Sequence, residues 1–387
     1  MSTSYEQNSD GAPCCKHGAP DDEDLSGALQ HLRQLNINSS TSNDVSVAEG
    51  RTGISTTFTI TDENNNNTNI NDTPRNNIFH FGRSRCANCG KAEEGKGDLK
   101  TCVACKSVKY CNSSCQKSHR KQHKNECRKR AAELFDEALF KKPPPAEECP
   151  ICLQTLPILT ECMYQSCCGK TLCMGCVVSY QSTKGKETLC PFCRKPCHLS
   201  NEQKVERCHK RMEVGDAIAF ATLGGNYLLG NWGLPQDTEK ALELMYRGAE
   251  LGSSNAHVNI ASIYTDGIYA RVDYKKALHH WQQAAMLGGD NKARFNLGLL
   301  EAKSNNLERA MKHWIIAAGT GDKDALDNIR RDYMRGFATK EQYTTALRDY
   351  QAYKEEVKSD QRDRALDSVY FDRVRRFNSI SPYTNNM

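Results

Sequence analysis

From residue 214 to residue 336, small and apolar side chains recur at a fixed period. Ala219, Ala256, Ala293 and Ala325 stand 37, 37 and 32 residues apart, and Gly215, Gly252, Gly289 and Gly321 keep the same intervals. Four positions after each of the first three alanines comes an aliphatic residue (Leu223, Ile260, Leu297), and one further a small one (Gly224, Ala261, Gly298). A second series opens at Lys240-Ala241-Leu242, Lys276-Ala277-Leu278 and Arg309-Ala310-Met311. Met245, Trp281 and Trp314 follow its alanines by four positions, and Ala249, Ala285 and Ala318 by eight. Offsets of 4 and 8 share one helical face, and small residues there let helices cross closely. The period therefore predicts helix pairs stacked as an all-α solenoid, with Gly230, Gly252, Gly267, Gly288 and Gly319 where helices stop. Lys303–Asn306 shortens the third unit. From Ala325 two longer helices are expected to cap the stack, the second running from Thr339 toward Arg364. Trp281 and Trp314 belong to the core.

Elsewhere the pattern is weaker. Residues 1–80 are rich in Ser, Thr, Asn, Asp and Gly, and include the run Asn64–Asn67. Such a segment cannot bury enough apolar surface to offset chain entropy, so it reads as a disordered tail. Within it Leu25, Ala28, Leu29, Leu32 and Leu35 share one face of a transient helix, and Cys14, Cys15 and His17 read as part of the tail. Arg130–Phe140 reads as a short helix, followed by Lys141-Lys142-Pro143-Pro144-Pro145 as a stiff linker.

The Tyr227-x2-Gly230 and Tyr264-x2-Gly267 elements, with the Lys-Ala pair opening the second helix of a unit near 36 residues, resemble Sel-1-like repeats. The third unit has Glu301 at the Tyr position, so two good repeats and one degenerate one are counted. The resemblance implies an extended surface for protein partners.

Composition changes the picture at the thiols. The 387 residues have a mean hydropathy of −0.69 and contain 20 Cys, all before His209. No stretch approaches the roughly 18 apolar residues of a membrane span. The opening residues show no basic patch followed by an apolar run, so no secretory signal is expected and the protein is placed in the cytoplasm or nucleus. Thiols there stay reduced, which points to metal rather than disulfides. Charge is uneven. Residues 1–80 carry 4 basic and 11 acidic side chains, whereas residues 81–145 carry 16 and 7, a net of +9. No aromatic stacking set or groove-reading helix accompanies that basic segment, which argues against a nucleic-acid partner.

The first thiol cluster reads Cys86-x2-Cys89, Cys102-x2-Cys105, Cys111-x3-Cys115 and His123-x3-Cys127. Eight ligands in 42 residues make two closed tetrahedral sites, and closed sites are structural rather than catalytic. The string, including Tyr110-Cys111, Cys115-Gln116-Lys117 and His123-Lys124-x2-Cys127, resembles the MYND zinc finger; Arg120 stands where that family commonly has Trp. The resemblance implies interleaved pairing, with Cys86, Cys89, Cys111 and Cys115 on one zinc and Cys102, Cys105, His123 and Cys127 on the other. It also implies docking of short, often proline-containing peptides. His119 is a rival ligand, though His123 has the better spacing to Cys127.

The second cluster reads Cys149-Pro150-Ile151-Cys152, Cys167-Cys168-Gly169-Lys170-Thr171-Leu172-Cys173-x2-Cys176 and Cys190-Pro191-Phe192-Cys193-Arg194. It resembles a RING finger across residues 148–197, with Lys170 where that family has His. A protonated Lys has no lone pair, so another thiolate must serve. Cys167 is the first choice and Cys162 the runner-up. The expected sets are Cys149, Cys152, Cys173 and Cys176 on one zinc, and Cys167, Cys168, Cys190 and Cys193 on the other, for four structural zinc ions per chain. The resemblance implies that Ile151, Val177, Val178 and Pro191 grip a ubiquitin-conjugating enzyme and that Arg194 is the linchpin arginine. Cys197, Cys208, His198 and His209 read as spare.

The expected organisation is multi-domain: a disordered acidic tail (1–80), a MYND-type finger (86–127), a helix and Pro-rich linker (128–147), a RING-type finger (148–197), Sel-1-like repeats (214–336), and a C-terminal capping helix and tail (337–387). No Ser/His/Asp set, Walker loop or HExxH motif appears. A SET-type methyltransferase, which can carry a MYND insert, is set aside for lack of its catalytic motifs. Two functions remain: a RING-type ubiquitin ligase with no covalent catalytic residue, whose MYND finger and repeats bind substrates or short peptides, or a non-enzymatic zinc-dependent interaction scaffold.

Overall fold

The computed structural model describes residues 84–366 except 96, 159–160, 185–188, 198 and 289–290. The expectations for the 1–80 tail, its leucine face, Cys14, Cys15 and His17, for His198, and for residues 367–387 lie outside the described residues. Backbone contacts divide the described chain into two units, residues 84–132 and residues 133–366.

The first unit holds a short antiparallel pair, β1 (Lys100–Thr101) and β2 (Lys109–Tyr110), and the helix α1 begins in it (Ser113–Leu139). The separate helix expected at Arg130–Phe140 is instead the end of this one 27-residue helix. No Gly or Pro interrupts Ser113–Leu139, so nothing stops the helix at Arg130.

The second unit opens with the antiparallel hairpin β3 (Cys162–Gln165) and β4 (Lys170–Cys173) and the helix α2 (Met174–Lys184). Ten further helices follow among the described residues: α3 (Asn201–Glu213), α4 (Ala217–Leu229), α5 (Thr238–Glu250), α6 (Ser254–Asp266), α7 (Tyr274–Leu287), α8 (Asn291–Lys303), α9 (Leu307–Gly319), α10 (Lys323–Met334), α11 (Lys340–Val357) and α12 (Asp360–Leu366). They form the solenoid that the period predicts. The alanines at the helix crossings are fully buried, among them Ala219, Ala241, Ala256, Ala277, Ala293 and Ala310. Trp281 and Trp314 lie in the core. A Cβ on Gly298 would overlap the Trp314 indole, which is why the third unit keeps glycine at that crossing. Asp237 and Asp273 cap the second helix of successive units by accepting from Lys240 N–H and Lys276 N–H.

Four details differ from expectation. The stack begins at Asn201 rather than 214, because α3 is opened by a Ser200–Gln203 capping box and packs Cys208 against Leu223 and Leu244. Gly319 lies within the last turn of α9, and Gly321 takes the left-handed position. The helix from Thr339 ends at Val357; Lys358 is extended, and α12 starts afresh so that Arg362 and Ala365 become buried. Finally, the proline linker is packed. A Cβ on Gly288 would come 2.7 Å from Pro144 and 3.1 Å from Pro143. Just before the prolines, buried Arg294 donates to the carbonyls of Leu139 and Ala285, and Phe135, Leu139 and Phe140 join the solenoid core. Apolar burial there outweighs the stiffness that makes a proline run a spacer.

Candidate metal centres

Four Cys-x2-Cys turns share one backbone form. What recurs is a bond from the N–H of the residue after the second Cys to the carbonyl of the first: Gly90 to Cys86, Lys106 to Cys102, Leu153 to Cys149 and Arg194 to Cys190, at 2.8–2.9 Å. All four donors have positive φ, between 53° and 73°. The first Cys N–H is held in turn by a carbonyl on the returning chain: Lys91, Val108, Gln154 and Lys195. Each turn thus points two sulfurs the same way.

The structure brings all sixteen expected ligands into four groups, each with its ligand atoms within 4.8 Å of one another. In the first unit these are Cys86, Cys89, Cys111 and Cys115, and Cys102, Cys105, His123 and Cys127. In the second they are Cys149, Cys152, Cys173 and Cys176, and Cys167, Cys168, Cys190 and Cys193. In both units the first ligand pair joins the third and the second joins the fourth. Sulfur separations of 3.7 Å (Cys89–Cys111), 3.8 Å (Cys102–Cys127 and Cys152–Cys173), 4.0 Å (Cys168–Cys190) and 3.4 Å (Cys167–Cys193) bracket the roughly 3.8 Å edge of a tetrahedron with zinc–sulfur bonds of about 2.3 Å. His123 Nε2 lies 3.3 Å from Cys105 Sγ.

The rival ligands are placed elsewhere. His119 meets the Tyr110 hydroxyl through Nδ1 at 3.1 Å and stacks on His123. Cys162 is buried on β3, its thiol donating to the Pro157 carbonyl at 3.3 Å, and burial pushes that thiol up. Cys167 and Cys168 occupy the turn between Gln165 and Lys170, which are paired in the hairpin. Lys170 is exposed, its ammonium 6.0 Å from the Phe192 ring centre.

The donor chemistry fits zinc. Crowded thiols cannot all ionise side by side, and the groups split accordingly. A hydrogen bond from the Cys89 backbone draws the Cys86 thiol down to about 6, whereas hydrogen bonding to Cys115 pushes Cys111 up to about 12. In the second unit Cys149 is drawn down by hydrogen bonds from Cys173 and Cys176, and Cys176 is pushed up by Cys149. A divalent cation removes this conflict by favouring the thiolate at every position. Four protein ligands per ion leave no open position, so the zinc is structural.

The residues expected to grip a conjugating enzyme are not equally available. Ile151 is 42% exposed, but Val177 is 1% exposed and Pro191 is buried. Val178 is half-buried against the Met174–Ala365 cluster. Their burial has a packing cause: Val177 lies in the apolar cluster of Cys149, Leu172, Cys173 and Cys176, and Val178 is covered by α12. Two apolar residues outside the expected set are exposed on the same turns, Phe192 at 43% and Leu153 at 70%. Phe192 occupies in Cys-Pro-Phe-Cys the position Ile151 occupies in Cys-Pro-Ile-Cys. Arg194 is exposed beside Tyr180.

The second finger is anchored to the helices of its unit. The Tyr164 hydroxyl donates to Asp216 Oδ2 at 2.8 Å, which also accepts from Arg211 Nε at 2.9 Å. At the other side, Thr155 donates to Glu356 at 2.7 Å and the Ile158 N–H to the Tyr353 hydroxyl at 2.8 Å.

Comparison with known proteins assigns two of the modules. Residues 86–127 match the MYND finger family, and residues 223–253 and 254–289 each match the Sel1 repeat. The histone-lysine N-methyltransferase ASHR1 of Arabidopsis thaliana is 51% identical over 45 residues, which is 12% of this chain and 8% of that protein. The chain therefore spans under a tenth of that curated relative. Among solved structures, a Sel1 repeat protein from Oxalobacter formigenes is 22% identical with a TM-score of 0.35, covering 47% of this chain and 69% of its own. The protective antigen c5321 of uropathogenic Escherichia coli, which displays an SLR fold, is 26% identical with a TM-score of 0.34, covering 40% of this chain and 33% of its own. Both superpositions are loose, and the repeat assignment rests on the matched segments. No helix among the described residues is long and apolar enough to cross a membrane. The chain carries a MYND zinc finger and Sel1 repeats, both protein-interaction modules, together with a second eight-cysteine finger able to hold two further zinc ions.

Proposed function

We propose that the chain is a RING-type ubiquitin ligase whose second finger recruits a ubiquitin-conjugating enzyme and whose MYND finger and Sel1 repeats bind protein substrates. The observation that carries this reading is the pair of Cys-Pro-apolar-Cys turns, each presenting its apolar residue to solvent: Ile151 at 42% and Phe192 at 43% exposure. An apolar side chain on a small, tightly tied metal turn has no core to fill and suits a docked partner. Arg194, directly after the last ligand, adds a planar fork of donors on the exposed side. The zinc ions hold the turns, and the chemistry belongs to the recruited enzyme's thioester, so the benefit is orientation.

The second reading is a zinc-dependent scaffold without enzyme recruitment. Burial of Val177 and Pro191 favours it, because both lie outside the reach of a docking enzyme. The match to a methyltransferase covers too little of that enzyme to bring methyl transfer to this chain.

Single-turnover discharge of ubiquitin-loaded conjugating enzymes to free lysine separates the two. Acceleration of at least one enzyme in a broad panel by the zinc-loaded full chain is the expected result. Absence of acceleration across the panel leaves the scaffold.

A further inference from the structure

Arg362 lies in α12, 210 positions from Cys152, yet its guanidinium reaches the Cys152 sulfur at 3.6 Å. It is 5% exposed. A buried guanidinium is costly unless its donors are matched; here both Nη nitrogens are matched, and only Nε has no hydrogen-bond partner. Nη1 donates to the Thr155 carbonyl at 2.8 Å and the Val357 carbonyl at 2.9 Å, while Nη2 donates to the Gln154 carbonyl at 3.4 Å and to Cys152 Sγ. Thr155 and Gln154 follow the opening Cys149–Cys152 turn, so one side chain ties both the ligand and its loop to the C-terminal helices. The approach is close along the backbone as well. A Cβ on Gly175, in the first turn of α2, would come 2.9 Å from Arg362 Cγ and 3.0 Å from its backbone nitrogen.

The ligand chemistry explains why a cation belongs there. Four thiolates on one zinc ion carry a net charge of −2, and a neutral thiol is a weak acceptor whereas a metal-bound thiolate is a strong one. A buried guanidinium aimed at a ligand sulfur therefore offsets part of that charge while fixing where the sulfur points.

We infer that Arg362 is a positioning residue for the zinc held by Cys149, Cys152, Cys173 and Cys176, and that α11–α12 thereby complete the second finger. This rests on the zinc reading of that finger and is independent of whether the finger recruits a conjugating enzyme. Partners that orient metal ligands typically contribute 10- to 100-fold to metal retention.

The test uses the full chain as wild type, Arg362→Met, Arg362→Lys and Tyr353→Phe, the last loosening the anchor at Ile158 while leaving the guanidinium in place. Cysteine alkylation of the zinc-loaded protein, resolved by site with mass spectrometry, reads metal retention. The thiolate-to-metal charge-transfer band of the cobalt(II)-substituted protein reads the charge beside the sulfur. Arg362→Met is expected to speed alkylation of Cys149, Cys152, Cys173 and Cys176 about tenfold. The MYND cysteines should keep their wild-type rates, which also reports that the variant is folded. Its cobalt band should move to longer wavelength, Arg362→Lys should restore most of that shift, and Tyr353→Phe should leave the band unmoved. Wild-type alkylation rates and an unmoved band in Arg362→Met overturn the inference. So does a band shift in Tyr353→Phe equal to that in Arg362→Met, because the effect is then one of packing alone. Failure of the wild-type second finger to bind cobalt at all overturns the zinc reading instead.

Discussion

Arg194 donates from Nη1 to the Tyr180 hydroxyl at 2.6 Å and lies with its guanidinium carbon 5.0 Å from the centre of that ring. The arginine follows the last ligand of the second finger, and the tyrosine stands on α2, which begins between the ligands Cys173 and Cys176. The contact holds the guanidinium against the finger's surface, and its backbone sits at a φ of 62°. A side chain so held loses less freedom when it engages a partner.

If the finger is a ligase, Arg194→Ala is expected to leave zinc content and conjugating-enzyme binding close to wild type while slowing single-turnover discharge tenfold or more, about 1.4 kcal/mol of barrier. Arg194→Lys should also suffer, because an ammonium cannot copy the planar fork. Ile151→Ala should weaken enzyme binding and discharge together. Discharge by Arg194→Ala at the wild-type rate removes the linchpin role.

Metal content checks the ligand sets. The full chain is expected to bind four zinc ions by atomic spectroscopy. Cys167→Ser should lose about one of them. Cys162→Ser should keep all four, since its sulfur serves the Pro157 carbonyl rather than a metal group. A loss of zinc in the Cys162 variant instead would reassign the ligand. Chelation should leave much of the helical circular dichroism, because the helical stack has its own apolar core.

Arg294 tests the packed linker. Replacing it by Met strands the Leu139 and Ala285 carbonyls in an apolar interior. We expect a loss of about 2 kcal/mol in urea unfolding followed by helical signal, from the unpaired acceptors. A change under about 0.5 kcal/mol would mean that water reaches those carbonyls in the variant.

His313 makes stability depend on acid. It is fully buried, and burial, reinforced by Arg294 and Arg309, pushes its imidazolium pKa down to about 3. The unfolded chain takes up the proton near 6.5, the folded chain only near 3, so unfolding binds a proton between those values. The contribution is intact above pH 6.5 and is lost as pH falls toward 3. Between pH 7 and pH 5 the wild type should lose about 2 kcal/mol more than His313→Phe, measured by urea unfolding at each pH. Parallel pH profiles for the two proteins would show that His313 titrates normally.

Much of this protein is local in its sequence. The 4- and 8-residue offsets of alanine, methionine and tryptophan are enough to form helices that bury one face, and they predict the stack from Ala219 to Ala325 without any long-range information. Cysteine spacing does the same for the metal groups, because a Cys-x2-Cys turn aims two sulfurs together whatever surrounds it. The charge argument at Lys170 also led to Cys167, since an ammonium has no lone pair to give. Tertiary structure decided the rest. Whether Val177 and Pro191 face a partner depends on what covers them, and no local period encodes that burial. The continuity of Ser113–Leu139, the packing of Pro143 and Pro144 on Gly288, and the break at Lys358 that sends Arg362 to Cys152 all join segments far apart in the chain. A sequence pattern shows which side chains seek burial. The partner that buries each one is chosen only when the whole chain has folded, because that choice depends on the shape of the segments brought together and on the hydrogen bonds they can make to one another.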